Sequence, residues 1–456
     1  MKKDTDDLGT VGVGRLLFKL ALPAIIAQLV NVLYNIVDRI FIGRLPNGEM
    51  AMAGVGVSFP IIMLISAFSA LIGMGGAPLA AIKMGEKDND GAEKIVSNSF
   101  SMLIILGLVL TIIFSIFNEP ILWAFGGSDA TIGFAKEYLG IYLIGTLFVQ
   151  IALGMNPFIN TQGFAKVGMS TVIIGAVINI ILDPILIFKF NLGVKGAAIA
   201  TISAQMVSAI WVLRFLFSKK SVIRIRKKYL KPDLKVVLGI IALGISPFIM
   251  QSTESLVLIS QNNQLLKYGG DLAVGAMTIM SSIMQIILMP LMGLSQGAQP
   301  ILSYNYGANN MDRVKKTFKL MLVSCLSYTV IMATLILVFP QMFVTIFNNK
   351  QELIATTSWS MRIFFAGIFV FGAQIACQQT FLAMGKAKIS LILALLRKVI
   401  LLVPLIFILP IFFEDKLKAA LMAEPVADIL ATLTTVTCFY IFSKKMFKGN
   451  ENKELI

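Results

Sequence analysis

Two aspartates, Asp38 and Asp183, each lie inside a long apolar run. Buried in a bilayer, an ionised carboxylate costs about 2.5–3.5 kcal/mol even on a lenient insertion scale, so it is rarely present without a partner. Asp38 closes the series Asn31, Tyr34, Asn35, Asp38, whose spacings of three, four and seven put all four on one helical face. Asn179 stands one turn before Asp183, Pro184 follows it, and Thr201 occupies the next apolar run. Brought together, two carboxylates, an amide and a hydroxyl form an oxygen-rich pocket suited to a hard cation such as Na+, or to a proton. Close carboxylates cannot both ionise cheaply, so one should hold a proton until a cation arrives. Occupancy then follows proton or sodium concentration, as a coupled antiporter requires. Pro184 has no N–H to give Ile180, whose carbonyl is left as a further oxygen beside Asp183.

These side chains need spanning helices to hold them. Apolar windows of about 20 residues or more fall near 16–43, 51–82, 95–117, 134–155, 167–189, 194–217, 236–265, 273–304, 317–339, 354–383, 389–413 and 418–443. Spans one and five run outward and span six returns. At about 1.5 Å per residue, Asp38, Asp183 and Thr201 then share one layer about 8–10 Å below the outer surface. Positive charge sets the direction: Lys2, Lys3, Arg15 and Lys19 precede span one, and Lys219, Lys220, Arg224, Arg226, Lys227, Lys228 and Lys231 separate spans six and seven. Arg313, Lys315, Lys316 and Lys319 follow span eight, Lys444, Lys445 and Lys448 follow span twelve, and Asn118–Thr131 has no basic residue. Both termini and the central basic segment are therefore expected in the cytoplasm.

Composition narrows the function. Of 456 residues, 57% are hydrophobic and 14% charged, against roughly 25% charged in soluble proteins. The net charge of +15 resides in short loops between apolar runs, a topological signal and not a nucleic-acid surface. Histidine is absent, which removes imidazole metal sites and histidine bases. Cys325, Cys377 and Cys438 lack metal-ligand spacing and read as small buried hydrophobes. The first run reads as a retained span, not a removed signal peptide.

Landmarks recur about 222 residues apart: Pro78 and Pro300, Gly85 and Gly307, Lys94 and Lys316, Gly163 and Gly385, Ala165 and Ala387, Lys166 and Lys388. Pro23 and Pro247, and Pro184 and Pro404, echo each other more loosely. Duplication in six-span units gives two halves of one orientation, related by an axis along the membrane normal, as in many secondary transporters. The expected domains are a lobe over 1–217, a basic cytoplasmic linker and hinge over 218–235, a lobe over 236–443 and a cytoplasmic tail over 444–456. By the offset, Asp38 maps near Ser260 and Asp183 near Val403, so the acid pair belongs to the first half alone. Span seven carries Gln251, Glu254 and Gln261. Glu254, near the midplane, is read as a counter-charge for a cationic substrate. Arg397 and Lys398 are read as snorkelling towards the cytoplasm, and Glu424 and Asp428 receive no assigned face. The 24 methionines are read mainly as packing.

LPAIIAQLVNVLYNIVDRIFIGRL in span one, NIILDPILIF in span five, GAAIATISAQ in span six, and QGAQPILSYNYGA echoing GGAPLAAIKMG together resemble the MATE family of multidrug and toxic compound extrusion transporters, in its DinF- and MepA-like branch. The resemblance covers nearly the whole chain. It implies an all-α membrane fold of twelve transmembrane helices in two six-helix lobes, set in a V around a central cavity. It also implies a first-lobe cation site at Asp38, Asn179, Asp183 and Thr201, with Asn31 and Tyr34 lining the substrate cavity. Asn35, Gln251 and Glu254 complete the candidate cavity set. Glu254 resembles the span-seven acid of the NorM branch, but Phe364–Ala383 holds no carboxylate to match that branch's span-ten acid.

The expectation is a monomeric, bacterial inner-membrane antiporter, not an enzyme, without cofactor beyond H+ or Na+. It would export amphipathic, mostly cationic compounds and contact membrane lipid but no nucleic acid. A lipid-linked oligosaccharide flippase of the same superfamily is the alternative, though a pyrophosphate headgroup calls for a cationic cavity. An intramembrane enzyme would need a metal cluster, an activated nucleophile or a histidine base.

Overall fold

The computed structural model describes residues 3–347 and 350–451, with side chains from Asp7 to Lys444. Lys2, residues 452–456 of the expected tail, and the side chains of Lys3, Lys445 and Lys448 lie outside what is described. Among the described residues there is no strand. With no water to satisfy peptide groups, a chain this apolar closes its hydrogen bonds within helices.

The chain is a multi-pass membrane protein. Among the described residues ten helices are long and apolar enough to span, and Ile132–Ile144 with Thr146–Thr161, bent by 60°, forms an eleventh candidate. One of the ten is the 74-residue run Leu234–Gly307. Straight, it would reach about 110 Å, several times the thickness of a hydrocarbon core. It is broken at Gly270, where φ is 64° and ψ −165°, a backbone that only glycine adopts easily. Folding back there divides the run into spans seven and eight and gives twelve crossings. The sixth is Gly193–Phe217 and the twelfth Lys416–Lys444. Several helices outrun their apolar windows: span two is Gly48–Gly85, and span four continues to Thr161. Helical geometry persists past the greasy stretch until a turn or cap ends it.

The duplication is legible atom by atom. The Asp88 side chain accepts from Gly91 N at 2.8 Å, and that of Asn310 from Arg313 N at 3.4 Å, capping equivalent helices. The residues just before them, Lys87 and Asn309, have φ of 62° and 57°. Asn156 Nδ2 donates to the Gly168 carbonyl at 3.3 Å, and Gln378 Nε2 to that of Ser390 at 2.9 Å. All these pairs stand 222 residues apart.

The lobes meet at the end that bears both termini. Spans two and eight cross so closely that Gly85 lies against the Tyr304 carbonyl and Gly307 against the Ile82 carbonyl, with no room for a Cβ at either. Gly244 of span seven presses on the Leu71 carbonyl of span two, and Gly293 of span eight on the backbone of Ile25 in span one. Small residues permit such approach between membrane helices. Span one, Val13–Gly43, buries one face over Val13–Ala24 (Val13, Leu16, Leu17, Leu20, Ala21, Pro23 and Ala24) and then no residue until Ile42. The lobes therefore separate towards the other end, giving the V.

The basic segment 218–235 is fastened to the first lobe. Arg226 Nε bonds Glu93 at 2.8 Å, Lys94 Nζ bonds Asp233 at 2.6 Å, and Gln162 Oε1 accepts from Val222 N at 2.7 Å. Hydrogen bonds, first from Lys94 and then from the Lys235 backbone, hold the Asp233 carboxyl below the ordinary carboxylate range. A second fastening joins the lobes: Arg313 Nη2, after span eight, donates to the carbonyls of Leu8 (3.1 Å) and Val11 (2.7 Å), at the end of the short helix Lys3–Thr10 that leads into span one.

Candidate functional site

Spans one, five and six of the first lobe bring the sequence-derived cation residues to one place. Asp38 and Asp183 face each other within hydrogen-bonding reach. Asn179 Nδ2 donates to Asp183 Oδ1 at 3.3 Å, as their one-turn spacing requires. Asn179 and Asp183 are fully buried. Three oxygens aimed into this space, Asp38 Oδ1, Asn179 Oδ1 and Asp183 Oδ2, have no hydrogen-bond partner among the described residues. Buried polar atoms are normally paired, so a cluster of acceptors without donors is what a proton or hard cation would complete.

Local backbone explains the placement. At Pro184 the helix of span five gives way to a π turn, Ile185–Lys189, in which Phe190 N reaches back to the Ile185 carbonyl at 2.9 Å. Proline removes a rung of the α ladder, and π turns concentrate at functional sites. Tyr34 borders both acids, so it belongs to the acid pocket as much as to the cavity wall. Asn35 Nδ2 also caps the Asn31 carbonyl at 2.6 Å.

Thr201 joins the group through a residue that sequence reading missed. The Tyr138 hydroxyl of span four lies close to Thr201 and Asp38. Tyr142, one turn on, stacks with Tyr138 at 6.3 Å. The available signal was two tyrosines four apart on one face of span four.

The second lobe corrects two expectations. Glu254 is not a lone counter-charge, because Lys398 Nζ lies 2.8 Å from its Oε2. Nor do Arg397 and Lys398 snorkel: both are buried and both are paired. Arg397 Nε and Nη2 contact Asp428 Oδ1 at 2.8 and 2.7 Å, Nη2 reaches Glu424 Oε1 at 3.3 Å, and the Phe371 ring lies 4.5 Å from the guanidinium. A π turn, Leu396–Leu402, carries the two cations. Like the turn after Pro184 it interrupts the equivalent helix of its lobe, but it precedes Pro404 where the first-lobe turn follows Pro184. Gln251, also of the cavity set, leaves its buried Oε1 without a partner among the described residues.

A duplicated helical bundle with intramembrane polar centres on equivalent helices defines a transporter-type membrane protein. The MatE family profile matches residues 23–185 and 245–408, one stretch per half at the offset already described. The chain belongs to the MatE family. It is similar to the multidrug export protein MepA of Staphylococcus haemolyticus, 27% identical over 413 residues and 90% of either chain. It is likewise similar to MepA of Staphylococcus aureus, 25% identical over 93% of either chain. The fold matches a crystal structure of a MATE protein in a bent conformation with a TM-score of 0.92, at 21% identity, covering 98% of this chain and 99% of that one.

Proposed function

We propose that this protein is a multidrug exporter of the bacterial plasma membrane, an antiporter that expels amphipathic, mostly cationic organic compounds in exchange for H+ or Na+. The coupling ion binds Asp38, Asp183, Asn179 and Thr201, and Asn31, Tyr34, Asn35, Gln251 and Glu254 border the path of the drug. The observation that carries the reading is the facing acid pair, whose buried oxygens lack donors. The MepA relatives supply the substrate class by analogy. The basic loops support a cytoplasmic position for both termini; in that orientation the lobes as described are shut on the cytoplasmic side and parted on the outer side.

Ion entry from outside draws spans one and five together around the shared charge. The π turn after Pro184 and Pro23 within span one are the compliant points. Their movement narrows the first-lobe wall of the cavity and releases the drug. The ion drives this only through its different affinity for the two shapes. Purified protein in liposomes, given a proton gradient and a sodium gradient separately, should expel an ethidium-like dye with at least one of them. Efflux retained in both Asp38→Asn and Asp183→Asn would remove the mechanism.

A further inference from the structure

We infer that the second lobe holds its own exchangeable proton, on Glu424 of span twelve, bound in a mixed-charge cluster distinct from the Asp38–Asp183 pocket. The inference does not rest on the proposed drug export or on the first-lobe acids.

The cluster is unbalanced. Two cations, Arg397 and Lys398, face three carboxylates, Glu254, Glu424 and Asp428. Lys398 is engaged by Glu254 at 2.8 Å, and Asp428 takes both Nε and Nη2 of Arg397 at 2.8 and 2.7 Å. Glu424 is left with a 3.3 Å contact to an Nη2 that Asp428 already holds more closely. It is the surplus acid, and it is 6% exposed. Of the other helices packed on span twelve, span eight has no charge between Leu272 and Gly307, and the charges of span ten before Phe364 (Glu352 and Arg362) and of span eleven before Arg397 (Lys388) are exposed. A buried carboxylate without a counter-charge of its own takes up a proton.

A second observation points to the same place from the opposite side. Gln261 of span seven is 1% exposed, and its Nε2 donates to the Ala420 carbonyl at 3.2 Å. Ala420 stands one turn before Glu424, and its carbonyl points along the helix axis towards that turn. Gln261 Oε1, on a side chain anchored one turn of span twelve before Glu424, has no donor among the described residues. A protonated carboxyl supplies the O–H that this oxygen lacks, and an ionised one does not. With the proton the cluster is neutral, and without it the cluster bears one negative charge. Glu254 is the member nearest to open space, its side chain 46% exposed, so it is where a change in that charge is felt from outside the lobe.

Infrared difference spectra between two pH values, both above the range in which exposed carboxylates titrate (about 4), test this on the purified protein. In the Asp38→Asn/Asp183→Asn double variant the first-lobe acids are gone, yet one carboxylic C=O band should still disappear as pH rises. Adding Glu424→Gln should abolish that band, and adding Glu424→Asp instead should keep it at a shifted frequency. The inference fails if the double variant shows no such band, if the band survives Glu424→Gln, or if Glu424→Asp leaves its frequency unmoved. Should the Glu424→Gln protein not fold, the double variant and Glu424→Asp still decide the matter.

Discussion

The two lobes carry polar centres on equivalent helices, spans one, five and six against spans seven, eleven and twelve, and they handle charge in opposite ways. In the first lobe two acids meet with an amide and two hydroxyls nearby, and the neighbouring Arg39 is exposed, lies over the Phe59 ring and is ion-paired to neither acid. In the second, Arg397 and Lys398 hold most of the acid charge permanently. An acid pair can release and rebind its counter-ion, whereas a paired cluster can lose a built-in cation only by breaking apart. The same duplicated scaffold thus provides one centre whose acids have no built-in counter-ion and one that is largely self-neutralised. Substitutions should separate the two.

The largest effect belongs to the first lobe's function. Asp38→Asn and Asp183→Asn should each reduce ion-driven dye efflux in liposomes to background, while melting temperature in detergent stays unchanged or rises. A fall in melting temperature with efflux preserved would reverse the assignment. Arg397→Met should do the converse, leaving Glu424 and Asp428 uncompensated at a cost of about 3–5 kcal/mol. Melting curves should show that loss and its recovery on adding Glu424→Gln and Asp428→Asn. If the single variant melts like wild type, the second lobe is not held by charge.

Smaller effects test finer points. Lys398→Met strands Glu254 and should destabilise by about 1–3 kcal/mol, less than Arg397→Met because Glu254 is half exposed. Lys398→Met/Glu254→Gln should restore stability, and additive losses in that double-mutant cycle would mean the two side chains do not interact. Smallest is Tyr138→Phe, which removes a buried hydroxyl beside Thr201 and Asp38, a polar contact worth about 1 kcal/mol. The half-saturating concentration of the coupling ion should rise roughly fivefold, and titration of initial efflux rates against ion concentration reads that shift directly.

How much of this the sequence revealed depended on whether a residue's environment forces a partner upon it. Asp38, Asn179 and Asp183 were legible because an acid in an apolar run is costly alone, and one-turn spacing fixes its face. Twelve windows and a 222-residue offset were legible because a bilayer imposes a length and duplication copies punctuation such as Gly163 and Gly385. Tyr138 was not, since tyrosine is amphipathic and common in spans without a polar role. Nor was the Lys398–Glu254 pair, whose partners lie 144 residues apart, so no periodicity connects them. A charge count over equivalent spans would have helped: two cations and three acids on spans seven, eleven and twelve invite pairing before any snorkelling. The bend between Ile144 and Thr146 was invisible because Gly145 resembles every other glycine in these helices.

The glycine crossing between spans two and eight gives the molecule a fulcrum made of bare peptide. Interlocked side chains would have to climb out of one set of grooves and drop into another whenever the arms tilted. Where backbone rests on backbone, that friction is missing. The load is also shared evenly, because Gly85 bears on residue 304 and Gly307 on residue 82, positions 222 apart like the glycines themselves. A single methyl group at either glycine would act as a wedge in that bearing.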